Sequence, residues 1–397
     1  MKGADAVGGV NLLGLRSHNA ALVLDLLRTA GADGISRLEL ADRTGLTPQA
    51  VSKITARLRG EGLATEAGRR ASTGGKPRTV LRLVPEAGHA VGVHLERDEM
   101  RVVLVDLTGA VVGERRAAVD LGAGAEGVVE GVAGEVGRLV EGADAVGLAP
   151  VGLASETGRA SETGLAPDVR RAPAASRALT VGSLLGVGIA LPGPLDHTLG
   201  VLHRVTGFPQ WDGFPLRDAL ARRLGVPVVV DKDTNAAALG LAVRGEGGSF
   251  AYLHLGTGLG AGLVIGGAVH RGARTGAGEF GHQVVQLDGP PCTCGNRGCV
   301  EALCLAAAAR DDLPEAARVL GTGAGNLVAL LDVDLVLLGG RTVAADPDVF
   351  VRGVAAVLEE RARRVGGAPV PVRLAPGEVA EGAAQLLLAP LFGRADG

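Results

Sequence analysis

Glu279-Phe-Gly-His282, followed by Cys292-Thr-Cys294-Gly-Asn-Arg-Gly-Cys299-Val-Glu301, is the stretch on which the reading of this chain turns. All four cysteines fall between 292 and 304, so no disulfide framework can span the 397 residues. A cluster of this kind points to a metal. Three thiolates and one imidazole suit tetrahedral Zn²⁺ with no open coordination position, which makes the site structural rather than hydrolytic. Gly295 and Gly298 let the loop turn back so that the sulfurs converge. The competing reading is a reduced cysteine cluster without metal. Cys304 is expected to be a buried apolar side chain outside the ligand set.

The same stretch resembles the ROK family (repressors, open reading frames and sugar kinases), whose ExGH motif is followed by CxCGxxGCxE. Every motif position is matched here. The resemblance implies that His282, Cys292, Cys294 and Cys299 hold zinc. It also implies that Glu279, His282 and Glu301 line a sugar pocket. The chemistry is coherent: sugars present arrays of hydroxyl donors, and buried carboxylates accept them in pairs. A rigid zinc loop beside the pocket would hold those carboxylates in place.

The length allows two or three domains, and a hydrophobic content of 47% supports sizeable cores. Aromatic content is only 2%, so those cores must be built from Leu, Val and Ala. No uninterrupted apolar run long enough to span a membrane occurs, and no secretory signal is evident. With reduced cysteines, this leads to the expectation of a cytoplasmic protein without membrane partners. Charge is unevenly spread: residues 1–85 carry 13 Lys/Arg against 7 Asp/Glu, a surplus of +6, and the remainder carries −9. A basic head on an acidic body is expected to meet a polyanion.

Residues 1–86 read as a winged helix-turn-helix. His18–Ala30 has apolar positions at helical spacing. Ser36 caps a second helix over Arg37–Thr44, with Glu39 completing a capping box. Thr47-Pro48 opens a third helix as N-cap and first-turn proline. Val51, Ile54 and Leu58 share one face of that helix, leaving Gln49, Ser52, Lys53 and Arg57 on others. The following ATEAGRRASTGGKPRTVLRLVP reads as strand, basic glycine-rich turn and strand, which is a wing. Thr47, Gln49, Ser52, Lys53 and Arg57 are the candidate contacts of a recognition helix in the major groove. Arg69, Arg70, Lys76 and Arg78 are the candidate wing contacts to phosphates or the minor groove. The alternative is a protein-interaction module with a solvated basic face. The arrangement resembles the winged helices of ROK regulators.

From His89 the pattern changes to strands alternating with helices. Residues 90–119 read as a three-stranded meander resembling the first strands of the actin-like ATPase (ribonuclease H-like) fold of ROK proteins, an α/β fold of two lobes. One lobe is expected over 89–240, the other, with the zinc loop, over 241–377, and a final helix over 378–392 returns to the first. A low-complexity insertion, repeating GLAP and ASETG, is expected at about 143–178. Leu185–Pro194 resembles the family's PGPxD segment, and His254–Val264 its second, glycine-rich phosphate segment.

Two departures from the family's kinases stand out. Their first hairpin carries Asp-x-Gly-Gly-Thr, whose glycines let backbone amides approach phosphate. Here His94 stands at the Asp, Glu96 and Arg97 at the glycines, and Asp98 at the Thr. Side chains then fill the phosphate position, and two carboxylates face it. Their kinases also carry Asn-Asp, the Asp acting as base. Here Lys232-Asp233 replaces it, with Lys232 one of only four lysines in the chain. An ammonium beside Asp233 is expected to weaken it as a base, leaving Asp233 a vestigial catalytic residue. The expected function is therefore a sugar-responsive transcriptional regulator, a repressor, with kinase activity lost. It would act as a homodimer or homotetramer on operator DNA and sense a sugar or sugar phosphate through Lys232, Asp233, Glu279, His282 and Glu301. The alternative is an ATP-dependent ROK sugar kinase with an accessory DNA-binding head.

Overall fold

The computed structural model describes residues 18–70, 78–145, 184–205 and 208–394. At the N-terminal end lie α1 (His18–Thr29), β1 (Ile35–Ser36), α2 (Arg37–Thr44), α3 (Pro48–Gly60), β2 (Ala64–Arg70) and β3 (Arg78–Leu83). The strands form an antiparallel sheet in the order β1-β3-β2. Local chemistry sets these bounds. The Ser36 hydroxyl accepts from the Glu39 amide while the Glu39 carboxylate accepts from the Ser36 amide, a complete capping box. Gly45, at φ 67°, ends α2. Thr47 then caps Ala50 and Pro48 takes the first turn of α3. Val51, Thr55 and Leu58 bury the inner face of α3. The result is a helix-turn-helix with two wing strands.

The remaining described residues build two five-stranded sheets. The first has the order β10-β7-β4-β5-β6. Its members are the meander β4 (His89–Leu95), β5 (Glu99–Asp106) and β6 (Val111–Ala118), then β7 (Leu184–Leu191) and β10 (Val228–Lys232). Strands β4, β7 and β10 run parallel, joined by crossovers through α4 (Ala125–Ala145) and α5 (Leu216–Leu224), as a right-twisted sheet requires. A short pair, β8 (Leu195–Asp196) and β9 (Val201–Leu202), follows β7. Of the expected insertion, 143–145 end α4 and the remainder lies outside the described residues.

The second sheet has the order β13-β12-β11-β14-β15. It comprises β11 (Phe250–Leu255), β12 (Leu259–Ile265), β13 (Ala268–Val269), β14 (Leu335–Gly339) and β15 (Val372–Leu374). One face is covered by α7 (Val300–Ala308), α8 (Leu313–Leu331), α9 (Arg341–Ala345) and α10 (Pro347–Val365). Between the sheets pass α6 (Asp233–Arg244) and α11 (Val379–Leu388). These two helices touch backbone to backbone. A Cβ on Gly382 would stand 2.1 Å from the Ala236 carbonyl oxygen, so only glycine fits there.

The head shares its core with the body. Val23, Leu24 and Leu27 of α1 join one apolar cluster with Val103, Val105, Leu388, Leu391 and Phe392. The Arg28 guanidinium lies 5.0 Å over the Phe392 ring, and Arg394 bonds Asp25 at 3.1 Å. Among the described residues no helix is long and apolar enough to cross a membrane.

Candidate metal centre, ligand pocket and nucleic-acid interface

The zinc-motif loop folds back on itself as its glycines allow. Cys292 donates its amide to the Asn296 carbonyl at 2.8 Å, and Gly295 bonds back to Cys292. Gly298, at φ 66°, is irreplaceable, because a Cβ there would lie 1.6 Å from the Gln286 carbonyl oxygen. Side-chain ligand atoms of His282, Cys292, Cys294 and Cys299 all lie within 4.8 Å of one another. Cys294 and Cys299 sulfurs are 3.7 Å apart, and His282 Nδ1 is 3.7 Å from Cys292 Sγ. Tetrahedral zinc with bonds of about 2.3 Å to sulfur needs sulfurs roughly 3.8 Å apart, so this cluster fits a four-coordinate ion. Cys304 is fully buried elsewhere, facing the Ala316 carbonyl, and burial pushes its thiol up to about 12. It stays protonated and apolar in character.

Next to this loop, a cavity of about 90 Å³ is lined by Lys232, Asp233, Glu279, His282 and Glu301, all five of the residues the sequence suggested for a sugar. Glu301, in the first turn of α7, accepts the Leu259 amide at 2.9 Å, and its other oxygen lies 3.9 Å from Cys292 Sγ. The pocket carboxylate thus lies against the cysteine loop. Asp233 opens α6 and accepts the Thr234 amide at 2.7 Å. Arg271 bonds the buried Asp231 at 2.7 Å, fixing the end of β10 immediately before these residues.

Lys232 departs from expectation. It is 3% exposed, and its ammonium donates to the Ala277 carbonyl at 2.6 Å and to Glu279 at 3.0 Å. The charge that sequence adjacency assigned to Asp233 is directed at Glu279. Lys232 holds the extended N-cap conformation, φ −64° and ψ 144°, and Asp233 begins the helix.

The altered first hairpin also differs. Glu96 and Asp98 do not stand as uncompensated charge. Arg341, at the start of α9, places Nη1 3.1 Å from Asp98 and Nε 3.6 Å from Glu96. The other Glu96 oxygen is 3.7 Å from His254 Nε2. The Tyr252 hydroxyl lies 2.8 Å from His254 Nδ1. Burial pushes the Tyr252 phenol up, so it stays protonated beside this imidazole. The adjacent His254 holds the Glu96 carboxyl below the usual range, against the effect of burial. The charges of this hairpin are therefore tied into an internal ion-pair network with Arg341 and His254. Glu96, Arg97 and His254 also line the 90 Å³ cavity, a role that sequence reasoning missed. Their proximity depends on a turn closing over a second sheet, and nothing in the local pattern announces it.

On the head, Thr47, Gln49, Ser52, Lys53 and Arg57 are exposed, and so is Arg78 on β3. Thr47 is engaged in capping Ala50, and Arg57 lies 3.8 Å from Glu61. Arg69 and Arg70 sit on β2 opposite Thr79 and Arg78. Lys76 lies outside the described residues. Gln49, Ser52 and Lys53 thus share the N-terminal half of α3, the end that reaches base edges in helix-turn-helix proteins.

Fold and site together define a winged helix-turn-helix joined to an actin-like, two-lobed α/β body with a Cys₃His cluster beside its cleft. The chain belongs to the ROK family, whose model matches residues 174–313. It is 32% identical over 220 residues to a kanosamine kinase from Amycolatopsis mediterranei, covering 47% of this chain and 70% of that one. It is 26% identical over 372 residues to a putative xylose repressor from Caldicellulosiruptor sp. (strain Rt8B.4), covering 83% and 84%. Its fold matches the crystal structure of a ROK family transcriptional regulator, a homologue of the E. coli MLC protein, with a TM-score of 0.68, 19% identity and coverage of 95% and 97%.

Proposed function

We propose that this protein is a sugar-responsive transcriptional repressor that binds operator DNA through its winged helix and senses a sugar in the pocket beside the zinc loop. The observation that carries the reading is the coupling, in one chain, of an exposed polar and basic α3 face to a carboxylate-lined pocket whose neighbouring phosphate turn is occupied by Glu96, Asp98 and Arg341. Gln49, Ser52 and Lys53 read bases, while Arg57, Arg69, Arg70, Lys76 and Arg78 hold the backbone. Lys232, Asp233, Glu279, His282 and Glu301 contact the sugar. Zn²⁺ is the ion that three thiolates and an imidazole at this spacing select. Similarity over most of its length to a putative xylose repressor supports the regulatory reading. The protein acts as a homodimer or homotetramer in the cytoplasm, spacing two recognition helices over a pseudo-palindromic site.

The test is binding of the purified protein to the DNA upstream of its own coding region, with and without sugars, at physiological salt. Preference for that DNA over random sequence, reduced by one sugar, supports the reading, and equal affinity for both sinks it. Retention of Asp233 and similarity to a kanosamine kinase favour a second reading, a sugar kinase with a DNA-binding head. It requires ATP turnover with a hexose or amino sugar in a coupled assay, and none is expected.

A further inference from the structure

We infer that the turn between β4 and β5 is a ligand-facing lid on the sugar cavity, with Glu96 and Arg97 as specificity-determining contacts and Arg341 as the positioning residue that clasps it shut. The inference rests on the reading of that cavity as a sugar site.

Three observations carry it. First, both Glu96 and Arg97 line the cavity together with Lys232, Asp233 and Glu301. A turn that in the family's kinases approaches nucleotide phosphate here presents its own carboxylate and guanidinium to the pocket. Second, the turn is anchored on both sides of the cleft. On its own sheet's side, Val119 donates to the Asp98 carbonyl at 3.2 Å, and the Arg97 guanidinium lies 5.5 Å from the centre of the Phe208 ring. On the other, Arg341 reaches Asp98 and Glu96, and the adjacent Thr342 hydroxyl bonds the Gly256 carbonyl at 3.2 Å. Arg341 therefore moves with the second sheet while gripping a turn of the first. Third, among the described residues Glu96 Oε2 is a buried oxygen with no hydrogen bond, and the Arg341 guanidinium at 3.6 Å is its charge partner. Removing Arg341 leaves that oxygen without its cation, and a carboxylate so placed moves toward water. It would take the lid with it.

The lid chemistry suits a neutral polyol. Glu96 offers acceptor lone pairs and Arg97 donors, a matched set for adjacent sugar hydroxyls. Bound sugar would then be held by both lobes without nucleotide.

Two measurements on the full chain test this. In hydrogen–deuterium exchange without ligand, Arg341→Ala is expected to speed exchange of the 96–99 peptide by about tenfold while the α10 and head peptides stay unchanged. Arg341→Lys should restore part of the protection. Unchanged exchange at 96–99 overturns the clasp. In thermal-shift titrations with D-xylose, D-glucose and N-acetyl-D-glucosamine, whichever sugar stabilises the native protein should bind Arg341→Ala and Arg97→Ala roughly tenfold more weakly. Unchanged affinity in both variants overturns the lid. A native protein that responds to none of the three sugars overturns the sugar reading and the lid with it, while the exchange result still decides the clasp.

Discussion

Replacing Arg271 by Met should be the most damaging single change near the pocket. Arg271 Nε bonds Asp231 Oδ2 at 2.7 Å, with side chains 5% and 1% exposed. The Asp231 carboxylate also accepts from the Lys232 amide at 2.7 Å and from Asn235 Nδ2 at 2.9 Å. At an effective dielectric of about 20, opposite charges at this separation attract by roughly 6 kcal/mol. Desolvation of both groups offsets much of that when the pair forms, but the two effects part company when one partner is removed. Met fills the volume of the stem and leaves a buried carboxylate with two neutral donors, at a cost of about 3–5 kcal/mol. For a unit of this size that corresponds to a fall of about 10 °C in Tm. The assay is urea unfolding followed by the fluorescence of Trp211, the one tryptophan of the chain. It is 1% exposed and bonded to the Leu121 carbonyl at 2.9 Å, so it reports on the first sheet. Adding Asp231→Asn to Arg271→Met should recover half or more of the loss, because the stranded charge is then gone. A loss below about 1 kcal/mol for Arg271→Met, or simple additivity of the two changes, would refute the reasoning.

Other consequences are open to measurement. Burial, and then the neighbouring His254, lower the His94 pKa from 6.5 to about 4, with Asp233 and Glu96 opposing. The unfolded chain therefore binds the proton first as pH falls, so this stability is complete above about 6.5 and lost progressively down to about 4, up to roughly 3 kcal/mol. His94→Gln should flatten the stability profile across that window. Metal analysis of protein purified without chelators should give one zinc per chain, lost in Cys294→Ser and retained in Cys304→Ser. Operator affinity should fall with salt, and Lys53→Ala or Arg78→Ala should each reduce the log–log slope by about 1. Gln49→Ala should instead weaken discrimination between sequences, by about 1–3 kcal/mol at one base pair.

What could be read in the sequence was whatever is written locally. The capping box at Ser36 and Glu39, the Thr47-Pro48 helix start and the Cys₃His loop each lie within a few residues or one short segment, so spacing alone constrains them. The first phosphate turn was legible as a departure, since four side chains replace a known pattern. Its actual partner was not. Arg341 lies 243 positions from Asp98, and their meeting depends on how two sheets face each other. Lys232 was misread for the opposite reason. Adjacency in the chain suggested a pairing with Asp233, whereas the ammonium bonds Glu279 and the Ala277 carbonyl, partners more than forty positions away.

These pairings bear on how such a body could control a DNA-binding head. Glu279 is occupied by Lys232, Glu96 by Arg341 and His254, and Glu301 by the Leu259 amide. A ligand entering the cavity must therefore exchange bonds with a pre-formed network, and it can shift the lobes only by its preference for one arrangement over the other. The route from such a shift to the head is short. Helices α6 and α11 bear on each other through bare backbone at Gly382, with no side chain to absorb a change of angle. Helix α11 runs directly into Leu391 and Phe392, which share a core with α1. Arg28 and Asp25 of α1 are fastened to Phe392 and Arg394. A change in the α6–α11 crossing thus has a rigid, apolar path to the first helix of the head. Weakening that path with Phe392→Ala should uncouple sugar from DNA, leaving each binding event measurable and their linkage reduced. Sugar release of DNA that persists undiminished in that variant would place the coupling elsewhere.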